Sequence, residues 1–86
     1  MDVEFDRKFQ EGAITLEEFV ELHTGFIRSW NESALRQALQ NNGKRTGEQV
    51  NELLNQFWAT YKDQVRRSPR EFKSSFNQTC FVLKKY

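Results

Sequence analysis

The sequence holds one cysteine, one proline, one histidine and one methionine among its 86 residues. A lone cysteine excludes an internal disulfide and a cysteine-rich zinc site. A single proline and four glycines leave no Pro- or Gly-rich linker to divide the chain. Those glycines, at 12, 25, 43 and 47, never fall into GxGxxG or GxxxxGK spacing, so no phosphate-cradling loop is present. The longest apolar run is Cys80-Phe81-Val82-Leu83, far short of a membrane-spanning helix or a signal-peptide core. Net charge is only +1, which removes any global electrostatic clue to a partner.

What the chain does have is enough apolar matter to fold. Ile, Leu, Val and Phe supply 22 of 86 residues, above the level at which disorder is the default. A chain of this length forms one domain, residues 1–86, and its stability is marginal. Met1 without a tag-like flank reads as the start of a small complete protein. The single thiol and the lack of an export signal favour the cytoplasm as the expected location.

Charge is segregated along the chain. Residues 1–22 contain seven acids against Arg7 and Lys8, while residues 62–86 contain seven bases against Asp63 and Glu71. The two ends either neutralise each other in the fold or leave a basic end for an acidic partner.

Helix signals are dense. Thr15-Leu16-Glu17-Glu18, Thr46-Gly47-Glu48-Gln49 and Ser68-Pro69-Arg70-Glu71 each read as a capping box, the last with proline at the first helical position. Gly12 and Asn41-Asn42-Gly43 read as stops. Between them, helical spacing aligns Phe5 with Phe9, then Leu16, Phe19, Val20, His23, Phe26, Ile27 and Trp30. Asn31 or Ser33 is expected to cap a separate short helix with Ala34, Leu35, Ala38 and Leu39. A further stripe runs through Val50, Leu53, Leu54, Phe57, Trp58, Tyr61 and Val65, and a last one from Pro69 through Phe72, Phe76, Thr79 and Leu83. The tail Thr79 to Leu83 is β-prone, so an extended run there is the alternative. The spacing predicts an all-α bundle of four to five short helices around an aromatic core, with both Trp30 and Trp58 buried.

Candidate chemistry is sparse. His23 falls within an apolar stripe and reads as a hydrogen-bonded core histidine rather than a general base. Nothing ties Cys80 to it as a nucleophile pair. The expectation is no enzyme, no metal and no cofactor. Arg66-Arg67-Ser68-Pro69 has the form of a kinase site, although an N-cap role already accounts for Ser68.

The string Gly12-Ala13-Ile14-Thr15-Leu16-Glu17-Glu18-Phe19 resembles the second half of an EF-hand loop with its exit helix. Calcium chemistry in such a loop also needs oxygen ligands at the first, third and fifth positions. Here those positions hold Arg7, Phe9 and Glu11, so the expectation is a helical joint without calcium.

Two surfaces remain as binding candidates. If the last helix runs from Pro69, Phe81 points away from Phe72 and is ringed by Arg70, Lys73, Asn77, Lys84 and Lys85. An aromatic amid cations has the composition of a protein-binding hot spot. The leading expectation is therefore a small protein-binding module, acting as an adaptor, regulator or inhibitor of a larger protein with an acidic surface. The alternative is a nucleic-acid-binding regulator using Lys44, Arg45, Arg66 and Arg67, joined by Arg70. A homodimer, acidic end against basic end, is compatible with either.

Overall fold

The computed structural model describes residues 4–72 and 76–86; Lys73 and the side chain of Phe76 lie outside the described set. Four helices make up the described structure, α1 (Glu4–Gln10), α2 (Leu16–Gln40), α3 (Gly47–Arg67) and α4 (Phe76–Leu83), with no strand among the described residues. Two long helices form an antiparallel hairpin, and the two short ones dock on it. The molecule is elongated, 45 × 22 × 17 Å, as a 25-residue helix of roughly 37 Å requires.

Both long helices start where capping boxes predict. Thr15 Oγ1 accepts from the Glu18 amide at 3.1 Å while the Thr15 amide donates to Glu18 Oε1 at 3.2 Å. Thr46 and Gln49 repeat the arrangement at 3.2 and 3.0 Å. Each box satisfies two of the orphan donors that open a helix. The turn between α2 and α3 uses three successive left-handed residues, Asn41, Asn42 and Gly43, with φ of 53°, 59° and 83°. Asparagine and glycine tolerate that region best.

The expected break near Asn31 does not occur. Asn31 is buried in the middle of α2, and its Nδ2 donates to the Ile27 carbonyl at 3.2 Å. That local bond satisfies the side chain without ending the helix. The core-facing line of α2 is Phe19, Val20, His23, Thr24, Ile27, Asn31, Leu35 and Leu39. Its neighbour Trp30 therefore falls on the flank, 58% exposed, whereas Trp58 is 5% exposed. The expectation that both tryptophans are buried is wrong for Trp30.

The third expected capping box is also absent. Ser68 is the C-cap of α3, its amide donating to the Gln64 carbonyl at 3.0 Å. Proline disfavours helical geometry in the residue before it and cannot donate to the preceding turn, so Pro69 stops α3 instead of starting a helix. A turn follows, closed by the Glu71 amide on the Ser68 carbonyl at 3.1 Å. Phe72 then enters the core edge-on to Tyr61, with centroids 5.6 Å apart. The run expected to be helical from Pro69 is thus a turn through Glu71, and the last described helix is Phe76–Leu83.

The hairpin also reconciles the segregated charge. Arg66 grips Glu17 through two bonds of 2.7 and 3.2 Å, and Lys62 reaches Glu21 at 3.1 Å. Acids from the first quarter of the chain thus meet bases from the last third across the exposed seam of α2 and α3.

Candidate binding surface on the last helix

α4 presents two faces. Thr79 and Val82 are fully buried against the hairpin. On the other side Asn77 and Phe81 are exposed, and Lys84 and Lys85 follow in the turn after the helix. Phe81 keeps 54% of its surface open, and Lys85 Nζ lies 5.7 Å from its ring centroid, within cation–π range. Neither Lys84 nor Lys85 forms an ion pair with a described residue. Phe81 is therefore an exposed aromatic beside Lys85.

Among the described residues the predicted cationic ring lacks Arg70. Arg70 sits in the turn before α4 and borders a groove of about 590 Å³ with Asp6, Phe9, Gln10, Phe19 and Pro69. It belongs to the α1 side of the molecule, because the chain at Pro69 turns instead of coiling. The remaining described set is Asn77, Phe81, Lys84 and Lys85.

Tyr86 supports this surface and carries no periodic signal in the sequence. Its hydroxyl lies 2.8 Å from Thr60 Oγ1, and its ring lies 5.9 Å from Phe57. Arg45 approaches from the other end of α3, donating to the Leu39 carbonyl at 2.6 Å and reaching the Tyr86 main-chain oxygen at 3.5 Å. The guanidinium thus ties the end of α2 to the end of the chain beyond α4.

The four bases of the nucleic-acid alternative are not brought together. Lys44 and Arg45 flank the α2–α3 turn, and Arg66 and Arg67 end α3, some twenty residues or roughly 30 Å away along the helix. Three of them are engaged: Arg45 with Leu39, Arg66 with Glu17, and Arg67 with Asp63 at 3.1 Å.

His23 lies at the centre of the aromatic core. It is fully buried, with Nε2 3.0 Å from the Tyr61 hydroxyl. Its ring stacks between Phe19 and Tyr61, at centroid distances of 5.4 and 5.8 Å, and Phe5 meets it edge-on. Burial pushes its pKa down to about 4, against a smaller upward pull from the Asp6 carboxylate. Burial pushes the Tyr61 phenol up to about 12. The nearby Thr79 hydroxyl opposes that rise, and the Asp6 charge adds to it; Thr79 Oγ1 itself makes no hydrogen bond of good geometry among the described residues. His23 Nδ1 has no hydrogen-bond partner among the described residues.

In the EF-hand-like segment, Arg7 and Phe9 are helical residues of α1, and the left-handed Gly12 (φ 79°) turns the chain toward the Thr15 cap. No group of three or more His, Cys, Asp or Glu side chains suited to a metal ion occurs among the described residues. No helix there is long and apolar enough to cross a membrane. The chain matches no protein-family model, no curated protein and no solved structure.

Proposed function

We propose that this protein is a protein-binding module, cytoplasmic and without a reaction or cofactor of its own, acting as an adaptor, regulator or inhibitor. Its partner is a larger protein that offers an acidic, aromatic-accepting groove to α4. The observation that carries this reading is Phe81, an aromatic ring 54% open to solvent with an ammonium group above it, on a helix whose other face is fully buried. Aromatic anchors surrounded by polar groups dominate binding energy at protein interfaces. Lys84 and Lys85 add long-range attraction to an acidic surface. The buried, hydrogen-bonded state of His23 supports a structural role for the one histidine.

The test is capture of partners from the source cell by the wild-type chain, by Phe81→Ala and by a Lys84→Glu/Lys85→Glu chain. Phe81→Ala is expected to keep the folding stability within about 1 kcal/mol and to weaken capture by about 2 kcal/mol or more. The charge reversal is expected to slow association and reduce its salt sensitivity. An unchanged capture profile for Phe81→Ala, or a folding loss of about 3 kcal/mol or more, would overturn the reading.

A further inference from the structure

At Ser68 the sequence pattern of a kinase site coincides with a break in the helices. The two complete capping boxes belong to Thr15 and Thr46, and Ser68 ends α3 instead of opening a helix. Its amide donates to the Gln64 carbonyl at 3.0 Å, and its carbonyl accepts from the Glu71 amide at 3.1 Å. The backbone groups are thus committed, whereas the hydroxyl has no capping role. At φ −141° and ψ 65° the residue lies outside helical geometry. Pro69, the one proline of the chain, follows it. Ser68 and Pro69 are half-buried, and Arg66, Arg67, Arg70 and Glu71 around them are exposed. One hydroxyl beside one proline therefore sits in a turn at the surface, with three guanidinium groups within two residues.

We propose that Ser68 is a phosphorylation site for a proline-directed protein kinase, and that Arg67 and Arg70 hold the phosphate it receives. In the transfer Ser68 Oγ attacks the γ-phosphorus of a nucleoside triphosphate. The Oγ–P bond forms, the bond from that phosphorus to the nucleoside diphosphate breaks, and the hydroxyl proton passes to a base of the kinase. Proline after the acceptor keeps Ser68 out of the helix and offers the enzyme no amide proton to satisfy. The neighbouring side chains supply the planar donors that phosphate prefers. Arg67 is well exposed and tied to Asp63 at 3.1 Å, a surface pair of the weak kind. Arg70 makes no ion pair with a described residue. Arg66 stays with Glu17 on the seam. The C-terminal end of α3 and the acids Asp63 and Glu71 oppose a new negative charge here. Charge-assisted bonds from two guanidinium groups outweigh them, because a helix dipole is screened at an exposed end. Residues 63–71 carry three bases and two acids, so phosphorylation takes this turn from +1 to about −1.

The test incubates the folded full chain with a cyclin-dependent kinase and ATP and maps the product by mass spectrometry. The wild type is expected to gain one phosphate, at Ser68, and to keep its helical circular dichroism. Ser68→Ala, which leaves the fold intact, is expected to gain none, and Pro69→Ala far less than the wild type. Phosphorus NMR then follows the second ionisation of the bound phosphate. Its midpoint is expected to lie at least about half a pH unit lower in the wild type than in an Arg67→Gln/Arg70→Gln chain, because the guanidinium groups favour the dianion. A chain that is phosphorylated only when denatured, at another residue, or not at all would overturn the site. Equal midpoints in the two chains, or loss of the helical signal on phosphorylation, would overturn the arginine clamp.

Discussion

The long helices and the short ones are held by different physics. α2 and α3 start at complete capping boxes, run for 25 and 21 residues, and share a continuous core from Val20 to Val65. α1 and α4 have seven and eight residues and rest on the hairpin, with Phe5 and Phe9 among the packed side chains in one case and Thr79, Val82 and the following Tyr86 in the other. Local signals suffice for the first pair because each helix carries its own start, stop and apolar stripe. The second pair exists only because the hairpin offers a surface.

That contrast can be broken most forcefully at its centre. Phe57 is fully buried in α3 and meets Trp58, Tyr61 and Tyr86. Phe57→Ala is expected to cost about 3–5 kcal/mol in urea denaturation, enough to unfold much of a domain this size. Phe9→Ala, on a half-buried ring of α1, is expected to cost distinctly less, and equal costs would show the short helix to be integral to the core.

A second break comes from acid. His23 is neutral in the fold, with a pKa near 4, and takes a proton near 6.5 when unfolded. Stability is therefore full above pH 6.5 and is expected to fall by about 3 kcal/mol as pH drops from there toward 4. At the alkaline end the unfolded chain releases the Tyr61 proton first, so stability falls again between about pH 10 and 12. Denaturation midpoints against pH measure both limbs, and a flat acid limb would mean that His23 is hydrated.

Capping sharpens the comparison at a smaller scale. Thr15→Ala and Thr46→Ala are each expected to cost about 1 kcal/mol. Ser68→Ala is expected to change stability by less than about 0.5 kcal/mol, since that side chain starts no helix. The smallest effect belongs to the seam. Arg66→Gln breaks the Glu17 pair, and its small destabilisation is expected to vanish at high salt.

Much of this fold was legible in the residues. Thr15 and Thr46, Gly12 and Asn41–Gly43 mark real boundaries, and the aromatic stripes of α2 and α3 form the core. The errors share one cause: a residue whose local meaning has two readings. Asn31 can cap a helix or bond its own preceding turn, and burial selected the second. Pro69 can open a helix or close one, and the well-formed run before it selected closing. With that junction misplaced, Arg70 was assigned to the wrong side of the molecule, although Phe81 kept its outward direction. Tyr86 was invisible because its partners, Thr60 and Phe57, lie more than twenty residues away.

The unequal burial of the two tryptophans gives the molecule a pair of optical reporters. Trp58, packed against Tyr61 at 5.6 Å inside the core, emits from a shielded site and shifts to the red only when the hairpin opens. Trp30, largely open, meets a soluble quencher such as acrylamide in the folded state and changes emission when the flank of α2 is covered. Folding and surface occupancy can therefore be followed separately, without a label, in a single unmodified chain.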